Sequence, residues 1–449
     1  MNSEKRRRQR GVVLTRAGLQ KLQTAKSEAE IYENFDKRFT LETLSARTGL
    51  DPDTLMKVFS GRVRVDKQTL IRCFSAFCLQ LDVNDYHIPV NETDNVSNWV
   101  LATCKSKSFI HYYIDWGEAP DVSALSGRTE ELATLEQWIV GEHCRFVTLF
   151  GMGGIGKTTL AVGITQRIKN NFKYVIWRSL RNAPSVEDTI ADLIKFLDEA
   201  EETQLPKTLD GKILQLLGYL RAHSCLIILD NAESILQSND IAGNYKSGYE
   251  GYGQLFRCIA DTLHCSTLIL TTREIPKGLA FKEGEKLPVH CLQLTGLPTS
   301  AAKEVMQLKG ALIGSDLEWE VLVHYYAGNP LALKIAATAI VDFFEGNLTS
   351  FVNFFQTETL IFDGIREILE RQFNRLTDLE KALMYQIAIN RKPVTILELQ
   401  ADLEEQKTVW ELMGALSALQ RRSLIEKNHT RYTQKPVVME FVVQEFMKH

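Results

Sequence analysis

Phe146-Val147-Thr148-Leu149-Phe150-Gly151-Met152-Gly153-Gly154-Ile155-Gly156-Lys157-Thr158-Thr159-Leu160 decides how this chain is read. The first five residues are a short apolar run, the pattern of a buried strand. The next eight satisfy G-x-x-x-x-G-K-[ST], and a helical segment follows. Glycines let the backbone wrap closely enough for its N–H groups to face phosphates, and the helix that follows adds its positive N-terminal end. In that setting Lys157 reaches the β- and γ-phosphates and Thr158 offers a hydroxyl to Mg²⁺. The candidate nucleotide-binding residues of the loop are Gly151, Gly153, Gly154, Ile155, Gly156, Lys157, Thr158 and Thr159.

Outward from the loop, three more apolar runs appear: 174–180, 225–230 and 266–272. Strands alternating with helical patterns predict an α/β fold with a mostly parallel sheet. The run 225–230 ends in Asp230, a carboxylate at the carboxyl end of a strand, where such sheets place ligand chemistry. Asp230 is the expected second Mg²⁺-side group, with Thr158 the first. Asn231 follows, an amide that can hold a water but cannot take its proton. Glu233, two positions on, is the candidate base. The run 266–272 leads into Arg273, placed to sense or neutralise a γ-phosphate. Lys157, Asp230, Glu233 and Arg273 are thus the candidate catalytic set.

These motifs, in this order, resemble the NB-ARC group of STAND-class P-loop ATPases, over roughly residues 122–449. The opening Ser126-Gly127-Arg128-Thr129-Glu130-Glu131, the loop GMGGIGKTTL, the stretch YVIWRSLRNAPSVEDTI, LTTRE and Gly328-Asn329-Pro330-Leu331-Ala332-Leu333 carry the resemblance. It implies a nucleotide-binding domain at 122–297, a helical ARC-type domain at 298–362 and a winged helix at 363–449. It also implies that Arg128 borders the adenine, that Pro330 packs on it, and that ADP or ATP with Mg²⁺ operates a slowly hydrolysing switch. Such a switch controls self-association and signalling, in defence or stress. The family's M-H-D histidine, which touches the β-phosphate of ADP, has no counterpart here. The matching text is Tyr432-Thr433-Gln434-Lys435-Pro436, so Gln434 or Lys435 is left to substitute. Relatives usually continue into a repeat sensor, and the end at Met447-Lys448-His449 reads as that of a fragment or truncated form.

The remainder is consistent with several domains. The 449 residues are 45% apolar and 24% charged, ordinary for soluble globular chains, and at roughly 150 residues per domain they suggest about three. Apolar runs are too short for a membrane span, and eight scattered cysteines without a C-x-x-C pair fit a reducing, cytoplasmic compartment. Residues 1–90 hold 16 Lys/Arg against 11 Asp/Glu, a basic module on an acidic body. That module reads as a helix over 14–34, then Leu41–Thr48 closed by Gly49, a helix from Pro52 to Ser60, and one capped by Asp66 over 67–79. The pattern is that of a helix-turn-helix, with 91–121 as a linker. Its candidate recognition helix, Asp53–Ser60, offers only Thr54, Lys57 and Ser60 for base readout. A protein partner for residues 1–90 is therefore favoured over DNA, although the basic arm Lys5–Arg10 and the phosphate-ready Arg62 and Arg64 keep open an ATP-controlled transcription regulator. A small-molecule kinase is the least supported class.

Overall fold

The structure is a computed structural model. It describes residues 11–33, 39–60, 65–77, 79, 81–82, 85–87, 112–122, 126–198, 205–240, 242–279, 282, 284, 287–357, 361–403 and 407–448. The basic arm, Arg62, Arg64 and residues 91–111 of the expected linker lie outside them. The chain divides into two compact units, 1–96 and 97–449.

In the first unit four helices, Arg16–Glu33, Leu41–Thr48, Pro52–Ser60 and Lys67–Ser75, enclose a core of Leu22, Leu44, Leu55, Leu70 and Phe74. Gly49 ends the second helix in the left-handed conformation (φ 68°), and its N–H donates to the Ser45 carbonyl. Asp66 caps the fourth by accepting from the Gln68 N–H at 2.9 Å. Two expectations shift here. Leu14 is not helical but pairs in β1 (Val13–Leu14) antiparallel to β2 (Tyr86–His87). The fourth helix stops at Ser75, not at residue 79.

The second unit is built on a six-stranded parallel sheet of β3 (Tyr113–Asp115), β4 (Phe146–Phe150), β5 (Tyr174–Ser179), β6 (Cys225–Asp230), β7 (Thr267–Thr272) and β8 (Val289–Gln293), in the order β3-β5-β6-β7-β4-β8. The central strands are apolar throughout because both faces are covered. Val147, Leu149 and Ile228 face the helix Lys157–Ile168. Phe146, Phe150 and Ile227 face the helices Val186–Leu197, Leu209–Ala222 and Glu250–Asp261. The stretch expected as linker supplies an edge strand instead. Tyr113 stacks on Tyr174 with ring centroids 5.2 Å apart, and Arg178 pairs with Asp115 at 2.8 Å.

Beyond the sheet come the helices Thr299–Gln307, Asp316–Tyr325, Pro330–Phe344 and Leu348–Thr357, then Asp363–Phe373, Asp378–Asn390, Ile396–Asp402, Val409–Arg421 and Pro436–Phe446. A small antiparallel sheet of β9 (Val394–Thr395), β10 (Glu426–Asn428) and β11 (Arg431–Thr433) accompanies the last group, in the order β10-β11-β9. Capping boxes at Ser315/Glu318, Thr377/Glu380, Thr395/Glu398 and Thr408/Glu411 fix four of these helix starts. One continuous apolar core runs from beneath the phosphate-loop helix to the final helix. Among the described residues no helix is long and apolar enough to cross a membrane.

Candidate functional site

The loop after β4 emerges at the carboxyl end of the sheet, beside the ends of β6 and β7. Its turn needs glycine at Gly154 (φ 77°) and Gly156 (φ 99°), backbone angles that a side chain disfavours. Lys157 is buried, and its Nζ donates to the carbonyls of Gly151 at 2.9 Å and Met152 at 3.0 Å. Burial lowers its pKa to about 8, with Arg273 adding to the shift and the carboxylates Glu233 and Asp230 opposing it. A buried ammonium resting on loop carbonyls is suited to receiving phosphate oxygens.

Thr158 Oγ1 donates to Asp230 Oδ1 at 2.8 Å. The same oxygen accepts from the Thr271 hydroxyl, and Asp230 Oδ2 accepts from the Asn231 amide at 2.8 Å. Burial raises the Asp230 pKa, and the hydrogen bonds from Thr271 and Thr158 counter it. A hydroxyl beside a buried carboxylate is an oxygen pair of the type Mg²⁺ accepts, so the residues present fit the nucleotide–metal pair. Asn231 is left-handed (φ 64°), and its N–H donates to Thr271 Oγ1 at 3.0 Å. Glu233 Oε1 accepts from Arg273 Nε at 3.0 Å, while Glu233 Oε2 is buried with no partner among the described residues.

A cleft of about 310 Å³ is lined by Gly153, Gly154, Gly156, Lys157, Thr158 and Thr159, and by Asn231, Glu233 and Arg273. Pro330, Leu331 and Lys334 close it from the helical region. The structure therefore gathers most of the expected set. Four members, Asp230, Gly151, Ile155 and Arg128, stand apart from the cleft wall, Asp230 behind Thr158. Gly151 and Ile155 belong to the loop's underside, with Ile155 in the core. Arg128 is buried, its guanidinium donating to Glu131 at 2.7 Å, the Ile155 carbonyl at 3.0 Å and the Thr295 carbonyl at 2.8 Å. It braces the loop from below.

Sequence reasoning passed over Asn329. Its side-chain oxygen accepts from the N–H groups of Leu331 and Ala332, capping the helix Pro330–Phe344, and its amide donates to the Gly153 carbonyl at 2.9 Å. The Leu331 N–H reaches the Gly154 carbonyl at 3.3 Å. A Cβ on Gly153 would lie 3.0 Å from Ile368 of the helix Asp363–Phe373, so C-terminal residues also crowd the loop. The cap was readable as Asn before Pro; its reach to Gly153 was not.

A second group missed in the sequence lies behind Arg273. Glu274 is buried and accepts from Arg422 Nε at 2.8 Å and from Arg375 at 2.5 Å. Arg422, 2% exposed, also pairs with buried Glu380 at 2.6 Å and donates to the Asp240 carbonyl. Two acids and two arginines thus join the end of β7 to the C-terminal helices. The expected substitutes for the M-H-D histidine do not reach the phosphate cleft. Gln434 is buried and donates to the Met384 carbonyl at 2.8 Å, and Lys435 pairs with Glu426 at 3.5 Å.

The sheet, the loop and the Thr158–Asp230 pair define a P-loop NTPase. Residues 128–278 match the NB-ARC domain model, which marks that segment as an NB-ARC-type P-loop ATPase domain. It is 54% identical over 351 residues to an uncharacterized WD repeat-containing protein of Nostoc sp., covering 76% of this chain and 28% of that one. It is 24% identical over 136 residues to the disease resistance protein RPM1 of Arabidopsis thaliana, covering 29% and 13%. A Walker-type ATPase of Pyrococcus abyssi shares the fold at 16% identity and a TM-score of 0.50, covering 73% of this chain and 99% of that one. The chain spans under a third of the length of these two curated relatives.

Proposed function

We propose that the chain is an ADP/ATP-operated switch that hydrolyses ATP slowly and governs self-association and signalling, in defence or stress, through a protein partner of residues 1–90. The observation that carries this reading is the seal over the loop. Asn329 and Leu331 come from beyond the sheet, yet they donate to the Gly153 and Gly154 carbonyls, and Ile368 crowds the space a side chain on Gly153 would take. A nucleotide held by Lys157, Thr158 and Thr159 therefore lies where the helical and C-terminal regions close.

Lys157 would bind the β-phosphate, Thr158 and Asp230 would hold Mg²⁺, and Pro330 would flank the base. Mg²⁺ supplies charge neutralisation on the phosphates and orients them. Asn231 can position a water but cannot deprotonate it, and Glu233 is engaged by Arg273; both features favour slow turnover. Arg273, at the β7 end, is the group a γ-phosphate would draw away from Glu233. We read the helices and small sheet after residue 363 as a winged helix, and residues 1–90 as a helix-turn-helix-like docking module. In place of the histidine lock, the Glu274–Arg422–Glu380–Arg375 network would hold the closed form. A ligand shifts such an equilibrium only by its differential affinity for the two states. Small-angle scattering of the full chain tests this reading. A larger radius of gyration or assembly with ATP·Mg²⁺ than with ADP is expected; identical profiles would refute the switch.

A further inference from the structure

Beside the phosphate cleft lies a wider one of about 670 Å³, and the two share Asn231, Glu233 and Arg273. Four arginines wall it: Arg181 just past β5, Arg273 just past β7, and Arg371 and Arg375 at the end of the helix Asp363–Phe373 and beyond it. Glu233 is the one carboxylate in the lining. Two of the arginines are engaged, Arg273 by Glu233 and Arg375 by buried Glu274. The other two are not held in this way. Arg181 has no ion-pair partner among the described residues. Arg371 meets only Glu367 one turn away, a pair with both side chains more than 60% exposed, and such surface pairs contribute little. Ser234, Ser238 and Asn374 complete a polar lining.

Arginines that share the wall of one open cleft repel one another. An oxyanion offsets that repulsion and satisfies their planar donor forks, which match phosphate oxygens in bidentate fashion. Nothing in the lining suits an apolar ligand. We propose that this cleft is a binding site for a phosphate-class anion, separate from the phosphate loop, with Arg181 and Arg371 as its uncommitted donors. Arg181 sits in the turn just past β5 and Arg371 on the helix Asp363–Phe373, so an anion between them favours the packed arrangement over one in which they part. The same chemistry has two sources, free orthophosphate and the terminal phosphate of a bound triphosphate.

The test is calorimetric titration of the full chain, loaded with ADP·Mg²⁺, with orthophosphate in chloride buffer. It is repeated on protein loaded with a non-hydrolysable ATP analogue, and on the double variant Arg181→Ala/Arg371→Ala. ADP content is assayed in every sample. Saturable binding is expected, weakened about tenfold or more in the double variant, with ADP retained in both proteins. Phosphate binding that persists with the analogue bound identifies a free anion as the occupant. Phosphate binding lost with the analogue, or analogue affinity alone weakened by the double substitution, identifies the nucleotide's own terminal phosphate. The proposal is overturned if the double variant matches wild type in both titrations, or if wild type binds no orthophosphate and the variant keeps its analogue affinity. Loss of ADP from wild type with phosphate binding intact would count against the nucleotide reading alone.

Discussion

At the scale of single residues, Lys157 and Asn329 carry most of the argument. The Lys157 ammonium is buried, and its pKa falls from 10.5 to about 8. Between those values the unfolded chain holds a proton that the folded chain has released, so nucleotide-free stability should rise as pH climbs from 8 to 10.5. Below pH 8 the buried charge exerts its full cost. Comparing urea unfolding of the nucleotide-free protein with that of Lys157→Met isolates the effect: the variant's advantage at pH 7 should shrink toward pH 10.5. A difference independent of pH would contradict the assignment. Asn329 both caps a helix and bonds the Gly153 carbonyl. Asn329→Ala should cost about 1–2 kcal/mol and speed ADP dissociation, read by displacement of a fluorescent analogue. Lost stability with unchanged dissociation would confine Asn329 to capping. The loop glycines, Lys157, Thr158 and Asp230 were legible in the sequence because backbone closeness and metal chemistry restrict the residue types allowed. Glu274, Arg375, Glu380 and Arg422 were not, since they lie far apart in the chain and only the folded packing makes them neighbours.

At the scale of elements, continuous apolar runs made the central strands readable, and β4 and β6 occupy the predicted residues. The edge strands β3 and β8 escaped because an edge needs fewer apolar positions: Val289-His290-Cys291-Leu292-Gln293 grades from buried to exposed along its length. The element that joins the phosphate cleft to the C-terminal helices is the end of β7. Arg273 faces the phosphate cleft, and its neighbour Glu274 is fixed by Arg375 and Arg422. Removing Arg422 leaves Glu274 and Glu380 buried without that partner, so Arg422→Ala should destabilise by about 3–5 kcal/mol. Arg422→Met combined with Glu380→Gln should recover part of that loss and still release nucleotide faster than wild type. Unfolding curves and dissociation rates on the same samples check both statements; wild-type nucleotide retention in the double variant would exclude the network as a lock.

At the scale of the whole molecule, one core joins the phosphate-loop helix to the final helix at Phe441 and Val442, and the regions past the sheet close over the loop. That arrangement predicts a nucleotide trapped during folding and retained through purification. The decisive measurement is to purify the full chain without added nucleotide, denature it, and identify and count what is released by anion-exchange chromatography, with Lys157→Ala beside it. About one ADP per wild-type chain and none from a folded Lys157→Ala variant is the predicted result. A folded wild-type protein that releases no nucleotide, or a variant that releases as much as wild type, would contradict the closed, nucleotide-held state on which the proposed function rests.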